Sequence, residues 1–194
     1  YAVVKQLHGT LYVPCAGGLK GGYSEEVLLR LVRIAKEYKV NYIIVESNFG
    51  DGMFTSLLKP VLKKHYPCTV EEVRHNTQKE KRIIDTLEPV MNRHKLVFDI
   101  SVVREDIKTT QENILYSLFY QMTRITRERG SLKHDDRLDA LAIAVNYWVE
   151  AMARDSEEAA KNFRDELLDK ELERFMEHAL GSTIYNDRDI RFMQ

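Results

Sequence analysis

Val40-Asn41-Tyr42-Ile43-Ile44-Val45-Glu46 is a short apolar run, rich in β-branched residues, that stops on a carboxylate. Its length and composition predict a strand buried in a sheet, with Glu46 at its end. Upstream, Ser24 and Glu26 open a helix whose Val27, Leu28, Leu31, Val32, Ile34 and Ala35 recur at helical spacing through Tyr38. Downstream, Asn48 to Asp51 reads as a turn and a helix follows through His65. Thr69 to Arg74 is a second short strand, Lys79 to His94 a helix, and Leu96-Val97-Phe98 a third strand. Further out, residues 1–7 and 9–15 form two strands that turn at Gly9. Strands alternating with helices after an opening hairpin predict an α/β fold, a mixed sheet flanked by helices.

The second half is helical. Residues 111–128 predict a helix with Leu115, Leu118, Phe119, Met122 and Ile125 facing inward, stopped by Gly130. The clearest element comes next: Leu138, Leu141, Ala142, Val145, Trp148, Val149 and Met152 repeat as a core-facing stripe. Arg154-Asp155-Ser156 reads as a break before a last, acidic helix. That tail carries its own stripe of Phe163, Leu167, Leu168, Leu172, Phe175, Met176 and Ala179.

The whole chain has 194 residues and a formal net charge of −1, which excludes a globally basic nucleic-acid coat. The near-neutral total hides a segregation. Residues 1–154 carry +4, residues 155–178 carry −5, and the last sixteen are neutral. With 44% hydrophobic residues the chain builds a core and is not wholly disordered. It has no run of ~20 apolar residues, so no membrane partner is expected. Cys15 and Cys68 support neither a disulfide framework nor a four-thiolate zinc site. The chain starts without Met and inside a strand, and is read as a piece of a longer protein.

Two acidic features carry the candidate chemistry. Glu46 ends a buried strand, where a carboxylate is costly unless it is paired or bound to metal. The segment His134-Asp135-Asp136-Arg137-Leu138-Asp139 opens the best-defined helix. Capping and the helix dipole account for one or two of its acids. They do not account for Asp139, which lies a turn in, beside the apolar stripe. Asp135 and Asp139 are four residues apart and Asp136 and Asp139 three, so either pair can share a face. Like charges this close need a cation, and hard oxygen ligands suit Mg²⁺ or Mn²⁺. A strand-end Glu and a helix-start Asp cluster suit two-metal phosphoryl transfer. His134 reads as a cap or surface residue. Gly17-Gly18-Leu19-Lys20-Gly21-Gly22 reads as a connection, because Tyr23 stands where a phosphate-binding loop needs its Lys and hydroxyl.

Three stretches in this order, Val45-Glu46-Ser47-Asn48-Phe49-Gly50-Asp51-Gly52, Gln78-Lys79-Glu80-Lys81-Arg82-Ile83 and His134-Asp135-Asp136-Arg137-Leu138-Asp139-Ala140-Leu141, resemble the C-terminal nuclease domain of large terminase subunits of tailed bacteriophages, closest to the T7-like podophage type. The resemblance covers residues 1–154. It implies an RNase H-like nuclease domain over 1–154, with its first strand incomplete, and a helical tail over 155–194. It further implies a metal-dependent endonuclease that cuts concatemeric viral DNA with two Mg²⁺ or Mn²⁺ ions, in the cytoplasm of an infected bacterial host. Glu46 matches the second family acid, and Asp136 matches the third, with Asp139 close behind and Asp135 assisting. The first acid belongs on the first strand; no Asp or Glu lies between Tyr1 and Tyr23, so it is expected upstream of Tyr1, as is an ATPase domain. Lys79, Lys81 and Arg82 would face DNA, with Lys63, Lys64, Arg127 and Arg129, as well as Lys5 and Arg124, as further phosphate contacts. Double-stranded viral DNA, a portal protein and a small terminase subunit are the implied partners. Two other readings stand beside this one: a Holliday-junction resolvase or transposase-like nuclease of the same fold, and a non-catalytic module that docks portal or capsid.

Overall fold

A computed structural model of the protein describes residues 1–47 and 52–189, with side chains through residue 176. The turn expected over 48–51 and the apolar residue Ala179 of the tail stripe lie outside the described residues and side chains, respectively.

The opening hairpin forms as expected. Strands β1 (Ala2–Leu7) and β2 (Thr10–Ala16) pair antiparallel, with Leu7 opposite Thr10. His8 and Gly9 make the two-residue turn at φ +49° and +72°. Positive φ at both turn residues matches the twist of the flanking strands. Helix α1 (Glu25–Glu37) starts where the Ser24 hydroxyl accepts from the Val27 N–H. The chain then runs through β3 (Tyr42–Glu46), α2 (Met53–His65) and β4 (Thr69–Val73). β3 and β4 are parallel, with Glu46 opposite Val73. Leu28 and Val32 of α1 and Leu58 and Leu62 of α2 form a buried cluster that packs on Ile43, Val45 and Val70. Ile43 and Val45 share one face of β3, so Ile44 and Glu46 belong to the other.

Helix α3 (Lys79–Asn92) leads to β5 (Leu96–Phe98), which pairs parallel with β2. Leu11 and Val13 of β2 are fully buried. The mixed sheet therefore comes in two pieces, β1-β2-β5 and β3-β4. A cleft of about 930 Å³ lies between β1 and β3, lined by Val4, Ile44, Ile143, Tyr147 and Trp148 among others. Among the described residues, β1 and β3 have no strand partner on their cleft sides. The carbonyl of Val4 instead accepts from the Trp148 indole N–H at 3.1 Å.

After β5 the structure departs from the sequence reading. The helix expected over 111–128 is instead α4 (Ile100–Asn113), a 3₁₀ turn (Ile114–Tyr116) and α5 (Leu118–Arg124). Side chains that bond to nearby backbone explain the division. Asp99 caps α4 through the Ser101 N–H, Asn113 accepts from the Leu115 N–H, and Ser117 accepts from the Tyr120 N–H. Helix α6 (Asp136–Asp189) also corrects an expectation. It is continuous through Arg154-Asp155-Ser156, where a break was predicted. None of the three residues removes a backbone donor or needs a left-handed conformation, so the ladder is not interrupted.

The chain divides into units of 1–149 and 150–194. In the first, Leu138, Leu141, Ala142 and Val145 are buried, as the stripe predicts. In the second, Phe163, Leu168 and Phe175 are exposed. No helix among the described residues is long and apolar enough to cross a membrane.

Candidate active site

Glu46 is positioned by the end of the β3–β4 ladder, where the Ser47 N–H bonds the Val73 carbonyl at 2.9 Å. Just past β4, His75 reaches back, its Nδ1 3.3 Å from Glu46 Oε1. Helix α3 begins at Lys79, so Lys79 and Arg82 lie three residues apart on one face. Helix α6 begins at Asp136, and the Asp135 carbonyl accepts the Asp139 N–H at 2.8 Å. The Leu138 N–H is capped by Gln121, whose buried amide oxygen is 3.1 Å away. A side chain from α5 thus does part of the capping, which leaves the Asp135 and Asp139 carboxylates for other partners.

Those partners are the two bases of α3. Lys79 Nζ is 2.8 Å from Asp135 Oδ1 and 3.2 Å from Asp139 Oδ2. Arg82 Nη2 is 2.8 Å from Asp139 Oδ1 and 3.4 Å from Glu46 Oε1. One guanidinium nitrogen therefore touches both acids, and they lie well inside the ~10 Å that a shared two-metal site permits. Glu46 and Asp139 meet although far apart in sequence. The Asp139 side chain is only 5% exposed. Burial pushes its carboxyl above the usual carboxylate range, against the pull of Lys79 and Arg82. Burial acts to lower the Lys79 ammonium, but the bonds and charges of Asp135 and Asp139 outweigh it and raise it.

The sequence-predicted residues fall into three groups. Glu46, Asp135, Asp139, Lys79 and Arg82 form one ion-pair network. Asp136 lines the cleft beside them and is itself exposed. Lys5, Lys63, Lys64, Lys81, Arg124 and Arg129 are exposed, and Arg127 pairs with Asp85 at 2.8 Å and Glu88 at 3.5 Å. His134 stacks on Tyr116, with ring centroids 4.3 Å apart. His75 was not read from the sequence. Only the register of β4 on β3 brings it to Glu46.

The donors fit a hard divalent cation in kind, since the carboxylates of Glu46, Asp135 and Asp139 are oxygen donors linked through Lys79 and Arg82. Among the described residues, no group of three acids, histidines or cysteines is arranged as a ligand set. Nitrogens of Lys79 and Arg82 fill the space between the oxygens.

An antiparallel hairpin, a parallel β–α–β unit and acids meeting at a strand end make an α/β domain with an acidic site at a strand end. Residues 1–96 match the family described as terminase of bacteriophage T7, ribonuclease H-like domain. The chain is also 44% identical over 187 residues to the large terminase subunit of Enterobacteria phage T3, covering 94% of this chain and 31% of that protein. It belongs to the T7-type large terminase subunits and carries their RNase H-like domain. It spans about a third of the length of that relative.

Proposed function

We propose that this chain carries most of the active centre of a metal-dependent endonuclease that cuts concatemeric viral DNA during packaging. The observation that supports it best is the convergence of Glu46 with Asp139 and Asp135 around Arg82 and Lys79. Glu46, Asp139 and Asp135 hold the metal in this reading, and Asp136, at the cleft, is the fourth candidate ligand. Bound Mg²⁺ or Mn²⁺ supplies an activated water and stabilises the leaving oxygen. The remaining family acid belongs on a strand seated in the cleft between β1 and β3, where both strands lack a ladder partner among the described residues. Such a strand joins the two sheet pieces and brings its acid toward Glu46.

Lys79, Lys81 and Arg82 on α3, with Arg129 and Lys133 nearby in sequence to the α6 start, form the basic side that meets DNA phosphate. Lys63 and Lys64 at the end of α2 are further contacts, and Arg127 becomes one on release from Asp85. The portal, the small subunit and an ATPase domain on the same polypeptide are the partners this reading assigns, and the host cytoplasm is where it acts.

Cutting of supercoiled plasmid in Mn²⁺ tests the proposal. The 194-residue chain is expected to cut poorly, and a chain extended upstream by one acid-bearing strand to cut well. In the longer chain, Glu46→Gln and Asp139→Asn are each expected to abolish cutting while circular dichroism shows the chain still folded; Asp139→Asn, which takes a buried charge from Arg82, is expected to melt lower. Full activity in either variant overturns that residue's assignment.

A further inference from the structure

Lys79 and Arg82 hold the acidic site in a way that has a consequence for how metal and DNA bind. Asp139 and Arg82 side chains are 5% and 13% exposed, so neither charge tolerates the loss of its partner. The ammonium of Lys79 stands on two carboxylates and the guanidinium of Arg82 on two. These are the oxygens a metal must use. A divalent ion at ~2.0–2.2 Å from them would stand only a few ångströms from both nitrogens and be repelled. Metal entry therefore requires at least one base to leave. Lys79 is the mobile one, with a flexible stem and a side chain 36% exposed. Arg82 is held more tightly, yet its Nε is buried with no hydrogen-bond partner among the described residues. A buried guanidinium N–H without an acceptor is costly, and an oxygen acceptor such as a phosphate relieves it.

We propose that Lys79 and Arg82 are resident counter-cations that keep divalent metal out until a DNA phosphate draws them away, so that metal and DNA bind cooperatively. The inference rests on the nuclease reading of the same site. Without DNA, the two bases neutralise Glu46, Asp135 and Asp139. A backbone phosphate accepts from Lys79 Nζ and from the guanidinium of Arg82, and the freed carboxylates become metal ligands. By linkage, metal bound first strengthens DNA binding by the same factor.

The test is Mn²⁺ affinity of the 194-residue chain, read from the electron paramagnetic resonance of free Mn²⁺. A short duplex with a phosphorothioate backbone, which resists hydrolysis, is present or absent. Lys79→Met is expected to bind Mn²⁺ about tenfold more tightly than wild type without DNA. Added duplex is expected to strengthen Mn²⁺ binding about tenfold in wild type and much less in Lys79→Met. Lys79→Arg keeps the charge and is expected to behave as wild type. Equal Mn²⁺ affinity in Lys79→Met and Lys79→Arg, or wild-type affinity indifferent to the duplex, overturns the proposal. Glu46→Gln separates the two readings. If it leaves Mn²⁺ binding unchanged, the nuclease site itself is misplaced. If it weakens binding while Lys79→Met does not strengthen it, only the counter-cation role fails.

Discussion

Asp106 is a buried acid on α4, 5% exposed, and is not among the residues that line the cleft. Its oxygens accept from Ser117 Oγ at 2.6 Å, from the Leu118 N–H at 2.7 Å and from the Phe119 N–H at 3.1 Å. The Arg137 guanidinium stands 3.7 Å away. One side chain thus satisfies the free N–H groups at the start of α5 and sits beside the first turn of α6. Asp106→Ala leaves the Ser117 hydroxyl and the Leu118 and Phe119 N–H groups without that acceptor, while Arg137 keeps its bond to Thr109, and is expected to cost about 3 kcal/mol. Asp106→Asn keeps one acceptor oxygen and is expected to cost less. The urea midpoint of each variant checks the order; an unchanged midpoint for Asp106→Ala would show that the network carries no stability. Asp106 and Asp139 illustrate why buried acids mislead when read one by one. Both are acids on helices with apolar neighbours, and only their partners separate a structural knot from a site.

At the scale of elements, the segment between α5 and α6 is clasped to α3. The Gly130 N–H bonds Glu80 Oε1 at 2.5 Å, and the Gln78 amide donates to the Arg127 carbonyl at 2.9 Å. The bond from Gly130 holds the Glu80 carboxyl below the usual glutamate range. A carboxyl lowered in the folded state adds stability above its unfolded pKa and loses it as the pH falls through that range. Wild type is therefore expected to lose melting temperature between about pH 5 and pH 3 more steeply than Glu80→Gln. Parallel curves would remove Glu80 from the account. The same segment shows what was legible in the sequence. β3, its terminal Glu46, the hairpin, α1, α2, α3 and the buried stripe of α6 all follow from periodicity and caps. The division of 111–128 does not, because Leu115, Leu118, Phe119 and Met122 keep helical spacing across it. Asn113 and Ser117 were the available signals, and their capping competes with helix continuation only once Asp106 supplies acceptors from another helix. The Asp cluster was legible as a site, while Lys79 and Arg82 were legible only, through the resemblance, as bases facing DNA. Their role inside the acid network depends on how α3 lies against the start of α6. The reverse error occurs at Arg154-Asp155-Ser156, where a change in charge was read as a change in structure.

At the scale of the whole chain, charge is segregated along the sequence, with +4 over residues 1–154 and −5 over residues 155–178. The basic part holds the RNase H-like sheet and the acid network, and the acidic part repels phosphate, so the tail is a poor DNA ligand. Its stripe is apolar, yet Phe163 is 62% exposed, Leu168 69% and Phe175 71%. A large apolar side chain adds about 1.5–3 kcal/mol only when it is buried, so these residues add little to the stability of the isolated chain. Removing residues from Asp155 onward is therefore expected to leave the melting temperature nearly unchanged. In the upstream-extended chain the same truncation is expected to keep plasmid cutting, since Glu46, Asp135, Asp136 and Asp139 all precede the cut. If the stripe is a docking face for portal, the truncated chain loses portal in a pull-down while the intact chain retains it. A fall of several kcal/mol on truncation would mean that the stripe completes the core of its own domain in solution. A truncation that melts unchanged and still binds portal would leave the tail without either role, and the portal contact would then have to lie on the basic body.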